Sequence, residues 1–233
     1  MREKETQLQQ MLTQLRTKLL MMGAAVGIAL DEACRALEEG NAVRAAEVVD
    51  GDAAINAMEN EIDELALSLL VRNQPVAHDL RFVVGALRMV IDFERIGDEA
   101  ASIAERTVTM EEALPGVVIE AVGTLMRSAM AMYIQAMDAF RKGDRDGSLK
   151  LCQVDDEISL QEMTALRRVM EYFCGEPDGR RTNVSYEGMN GILICRSLNR
   201  ICRRCANIAE HTYFIVEGVN IKHQAPPDIP GTK

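Results

Sequence analysis

A single internal period governs this chain. Ala36-Leu37-Glu38-Glu39-Gly40-Asn41 returns 103 residues later as Ala139-Phe140-Arg141-Lys142-Gly143-Asp144. Asp52-x-x-Ile55-x-x-x-Glu59 returns at the same offset as Asp155-x-x-Ile158-x-x-x-Glu162. Farther along, Glu94-Arg95-Ile96-Gly97-Asp98 returns as Asn199-Arg200-Ile201-Cys202-Arg203, now 105 residues on, so about two residues entered a loop between the two sites. A period of this length copies a whole small domain and is far longer than one solenoid unit. What the copies share is scaffold, and where they differ is where function is sought.

Punctuation divides each copy into three helices. The six prolines all fall between periodic segments, as helix interiors require, and Gly40 and Gly143 mark two further ends. Helices are expected near 5–39, 42–72, 77–109, 116–142, 145–174 and 185–218. No stretch alternates with period two, so no sheet is expected. The chain thus reads as all-α, two tandem three-helix bundles, with residues 1–112 in the first, 113–222 in the second and 223–233 as a disordered tail. Scarce aromatics (4%, no Trp) and abundant Ala, Leu, Met, Glu and Arg fit that class.

Charge and cysteine usage narrow the function. A formal charge of −10 leaves no general basic footprint, so nucleic acid is not an expected partner. No segment is read as long enough to cross a membrane. The apolar run Leu19–Leu30 sits inside a longer amphipathic pattern, unlike a signal peptide, which points to the cytosol. The six cysteines do not pair between the copies, so reduced thiols are expected. Cys202-x-x-Cys205 with His211 nearby is weighed as a soft-metal site against simple packing, and packing is preferred because the two thiols converge only partly on a helix. His78 and His211 read as satisfied or solvated polar positions. No nucleophile–base pair, P-loop or Glu-x-x-His motif occurs, so no enzyme is expected.

Carboxylates carry the chemistry. On the third helix Ala86, Met89, Phe93, Ile96, Ala100 and Ile103 form a bundle seam, and Glu94, Asp98 and Glu105 point roughly 150° away from it. Glu94 and Asp98 are like charges at i, i+4, which weakens a helix unless a cation compensates. On the second helix Ile55, Met58, Ile62, Leu65 and Leu69 make the seam, with Asp52 and Glu59 one step off it. Four carboxylates on two neighbouring helices suit a hard, oxygen-preferring cation.

These strings, with Arg72-Asn73-Gln74-Pro75-Val76-Ala77-His78-Asp79-Leu80-Arg81 between them and Ala206-Asn207-Ile208-Ala209-Glu210 near the end, resemble the PhoU family of phosphate-signalling proteins along nearly the whole chain. The resemblance implies a non-enzymatic cytosolic repressor of the phosphate-starvation response and of phosphate uptake. Such an adaptor acts between a phosphate ABC transporter and a sensor histidine kinase, meets the membrane only through them, and is expected as a homodimer. It also implies iron or zinc on an acidic bundle surface, with Glu94 and Asp98 as the family motif and Asp52 and Glu59 as partners. Asn56 stands where many relatives carry a further acid. The second repeat departs more, because Asn199 and Arg203 replace the Glu and Asp, although Asp155, Glu162 and Glu210 remain. Arg203 is read as an internal cation in place of metal. The alternative is a metal-storage or metal-dependent hydrolytic helical protein.

Overall fold

The computed structural model describes residues 2–174 and 184–221. Its elements are α1 (Arg2–Glu39), α2 (Ala42–Asn73), α3 (Ala77–Thr109), α4 (Gly116–Lys142), α5 (Arg145–Leu151), α6 (Asp155–Cys174) and α7 (Val184–Glu217), with no strand among the described residues. The expected tail from residue 223 and the loop around Pro177 lie outside the described residues.

The duplicated corners are built by the same local chemistry. Gly40 and Gly143 take left-handed backbone (φ 62 and 65), which ends the preceding helix without steric cost. The next residue closes the turn onto the carbonyl five back, Asn41 onto Ala36 at 2.8 Å and Asp144 onto Ala139 at 2.9 Å. Each then caps the following helix. The Asn41 side chain accepts from the Arg44 amide at 3.1 Å, and Asp144 accepts from the Gly147 amide at 3.0 Å.

The expected fifth helix is a correction. It breaks at Cys152–Val154 into α5 and α6, whereas the matching stretch of the first copy, 49–51, continues as helix. α5 seats Leu149 on Tyr213 and Ile221, a small apolar cluster of its own, while α6 packs on α4 and α7. The turn re-aims the chain between these two contacts. The Gln153 amide bonds the Lys150 carbonyl there at 3.2 Å.

In the first copy α1, α2 and α3 pack on one another; in the second, α4 packs with α5, α6 and α7. α3 also packs along α7, and α1 touches α4, so the two cores merge into one apolar cluster. All six seam residues expected on α3 are fully buried. The two copies approach closely at glycines: a methyl group on Gly85 would meet Ile215 at 2.5 Å, and one on Gly23 would overlap Met137. The Tyr133 hydroxyl donates to the Gly23 carbonyl at that second contact. Contrary to the sequence expectation, one helix among the described residues, α4, is long and apolar enough to cross a membrane by length and composition. It buries Val118, Val122, Leu125, Ala129 and Ala136 completely and packs on α5, α6 and α7.

Candidate metal-binding face

α2 and α3 bring the expected first-repeat acids together. Gly97 keeps the helices close, since a methyl there would already meet Ile55 at 3.3 Å and Asp52 Oδ1 at 3.7 Å. Asp52 and Glu59 line one side, and Glu94 and Asp98 the other. Glu105, on the same stripe of α3, lies farther along and is exposed. The side chain of Glu94 keeps only 16% of its exposure, against 39% for Asp98.

The electrostatics are those of crowded carboxylates. Burial pushes the Glu94 carboxyl up to about 7, helped by the charge of Asp98 and by hydrogen bonding to it, and opposed by Arg95. Asp52 is raised first by burial and then by Asp98, while the Asn56 amide, donating to Oδ2 at 3.0 Å, pulls the other way. Glu59 is raised by burial, then by Asp63, then by Asp98, with Arg95 opposing. Crowding of this kind disfavours the anionic form unless a cation joins the group.

Two observations bear on whether metal fits. Asp52 Oδ1 and Asn56 Oδ1 are buried and have no hydrogen-bond partner, which leaves two oxygens lacking a proton or a cation. Asn56 presents a neutral oxygen beside Asp52, and a carbonyl oxygen is an acceptable ligand for a hard cation. However, no three His, Cys, Asp or Glu side chains among the described residues converge as a closed metal site does. Arg95 holds part of the space, 3.3 Å from Glu94 and 3.2 Å from Asp98. Its side chain is more than half exposed and free to swing outward. In this arrangement the acids lie along an open face, and Arg95 supplies positive charge to Glu94 and Asp98.

Sequence reasoning missed two members. Asp63 joins the face one turn beyond Glu59, with its carboxyl raised by burial. Its signal was the i, i+4 spacing from Glu59. Arg95 was quoted only as part of the motif, yet it is the cation that neutralises the motif here.

The second repeat is arranged otherwise. Asn199 is buried and donates to the Glu162 carboxylate, so that acid already has a partner. Arg203 is exposed on α7, and Glu210 is partly buried there. Asp155 begins α6, but its side chain lies outside the described ones. Cys195, Cys202 and Cys205 are buried, free thiols. Burial pushes Cys195 and Cys202 up to about 12 and Cys205 well above its usual range, as for neutral thiols packed in the core.

His211 is not the isolated residue it looks in sequence. It is buried, with Nε2 3.1 Å from Asp92 at the junction of α3 and α7. Asp92 is itself 3% exposed and also accepts from Arg204 at 3.1 Å and Asn207 at 3.0 Å. Nearby, Arg200 grips the Glu99 carboxylate with two nitrogens across the same junction.

Comparison with known proteins agrees with the repeat. The model of the PhoU domain matches twice, over residues 19–107 and 122–212. The chain is 35% identical to a phosphate-specific transport system accessory protein PhoU homolog of Pseudomonas putida, over 91% of this chain and 81% of that protein. It is 28% identical to the phosphate-specific transport system accessory protein PhoU of Escherichia coli, over 91% and 86%. Its fold superposes on the crystal structure of PhoU from Pseudomonas aeruginosa with a TM-score of 0.83 at 34% identity, covering 91% of this chain and 99% of that one. On the phosphate transport system regulatory protein PhoU from Streptococcus pneumoniae the TM-score is 0.79 at 22% identity. Two matched domains, in a fold shared along nearly its full length, make this chain a member of the PhoU family.

Proposed function

We propose that the chain is an accessory protein of a phosphate-specific transport system, which regulates phosphate uptake without turning over a substrate. The match to proteins of that name along 91% of the chain is what carries this reading. In its finer form the protein is a cytoplasmic homodimer that links a phosphate ABC transporter to a sensor histidine kinase and represses the starvation response. The long packed helices offer extended surfaces for such partners.

Iron or zinc is proposed on the first-repeat face, held by Asp52, Glu59, Glu94 and Asp98, with Asp63 and Asn56 beside them. The unpartnered Asp52 Oδ1 and the raised Glu94 carboxyl support this. The metal would supply fixed positive charge at a surface otherwise crowded with anions. Arg203 is proposed as the internal cation of the second repeat, supported by its place at the register of Asp98.

The test has two arms. Metal content of purified wild-type protein and of Glu94→Ala/Asp98→Ala is measured, and a phosphate-starvation reporter is read in a deletion strain carrying each form. Loss of nearly all metal together with derepression in phosphate-rich medium is expected. Derepression absent even from the deletion strain would sink the regulatory reading. Retention of most metal by the double variant would move the site elsewhere. Phosphate release by the purified wild type, abolished by the same variant, would favour a hydrolase.

A further inference from the structure

We infer that the junction of the two bundles holds a second ligand site, separate from the acidic face, which takes a phosphoryl oxyanion. A cavity of about 340 Å³ opens between α3 and α7 and is lined by Arg88, Ile91, Asp92, Arg204, Asn207 and His211, with Asn220 from the stretch after α7. That volume is at the scale of a small ligand.

The charge count at this cavity exceeds what structure alone asks for. Asp92 is the one carboxylate among the described lining residues, and it is already satisfied three times over, by Arg204, Asn207 and His211. One arginine suffices to neutralise it. Arg88 is a second cation with no carboxylate partner among the described residues; its guanidinium rests 5.1 Å over the Phe214 ring. That stacking fixes the fork without consuming its hydrogen-bond donors. Asp92 takes only Nη1 of Arg204, so the rest of that fork is available as well. In a protein of net charge −10, two arginines lining one cavity are an exception to the general field.

The donors also suit the ligand. Two guanidinium forks offer paired N–H groups, the geometry that phosphate oxygens accept in parallel. Asn207 adds an amide close by. Asp92 acts here as a positioning residue, buried beneath the donors and orienting Arg204 and Asn207 from below. Free phosphate and a small phosphomonoester share this chemistry. The site spans α3 of one repeat and α7 of the other, so an occupant would bear directly on how the bundles are held together. This inference stands on the cavity alone and does not rest on the adaptor reading.

Phosphorus-31 line broadening tests it on full-length protein stripped of metal with chelator, at fixed ionic strength. Inorganic phosphate and glycerol 3-phosphate are titrated separately, with wild type and with Arg88→Gln. Saturable binding of at least one probe is expected, weakened tenfold or more in Arg88→Gln, and the tighter probe identifies the source of the ligand. Arg88 bonds no buried group, so this variant should keep the wild-type circular dichroism spectrum. Arg204→Gln should also lose binding. If wild type binds neither probe saturably, or a folded Arg88→Gln binds as tightly as wild type, the site does not exist. Neither failure touches the regulatory reading, because no partner takes part in the measurement.

Discussion

Glu94→Gln should stabilise the metal-free protein at neutral and alkaline pH. The Glu94 carboxyl rises from 4.5 to about 7 on folding, chiefly through burial and then through Asp98. The folded state therefore prefers the protonated form. The stability this group contributes is fully present below pH 4.5 and is lost as pH climbs through 7. A displacement of that size corresponds to roughly 3 kcal/mol at pH 8. Glutamine keeps the shape and removes the charge. The displacement already includes the opposing pull of Arg95, and because Glu94 interacts strongly with Asp98 and is partly screened by solvent, about a third of it is discounted. A net gain of about 2 kcal/mol remains, or roughly 4–8 °C in melting temperature for a chain of this size. The assay is thermal unfolding of chelator-treated wild type and variant at pH 5 and pH 8, compared as a difference so that other titrating groups cancel. The variant should lead clearly at pH 8 and by much less at pH 5. Addition of the proposed iron or zinc should reverse the order if Glu94 is one of its ligands. A variant no more stable than wild type at pH 8, or one whose advantage is the same at both pH values, would refute the argument.

Three further outcomes follow from the junction and the second repeat. Asp92→Ala should cost about 3 kcal/mol in denaturant unfolding, because it strands His211 and Arg204 without their shared acceptor. Gly85→Val should cost about 1–3 kcal/mol, by driving a branched side chain into Ile215 where the backbones are closest; unchanged unfolding would mean α3 and α7 can separate freely. Asn199→Glu/Arg203→Asp should not by itself confer metal on the second repeat, as metal analysis in an Asp52→Ala/Glu94→Ala/Asp98→Ala background would show. Uptake of metal there would mean that those two positions alone decide binding.

The scaffold was readable because its signals are local and duplicated. The glycine turn and its capping side chain recur at Gly40–Asn41 and Gly143–Asp144, and each half presents seams at 3-4 spacing. The fifth helix was misread because nothing at Cys152–Val154 is a helix breaker; the break answers tertiary contacts of Leu149 on one side and of α6 on the other. Likewise α4 was passed over as a membrane-length segment because its apolar residues are spread among glycines and polar ones. The four acids of the first site could be placed on adjoining helices from spacing. Their crowding could not, because it depends on how close Gly97 lets α2 approach. Asp92 was invisible for a related reason: a single acid within an apolar pattern carries no mark of its partners, which lie more than 110 residues away on α7.

The asymmetry between the repeats is deeper than the two exchanged motif residues. Gly97, which admits α2 beside Asp52, is matched by the buried Cys202, whose side chain fills that space. Asp63, the fifth acid of the first face, is matched by Leu166, which packs on the core. Arg95, the movable cation over Glu94 and Asp98, is matched by Arg200, which is committed to Glu99 in the junction. Glu162 is engaged by Asn199, where Glu59 keeps only the company of other acids and Arg95. In each pair the second copy spends the position on packing or on a fixed bond. The second bundle is held to the first where α7 packs along α3 and α4 touches α1.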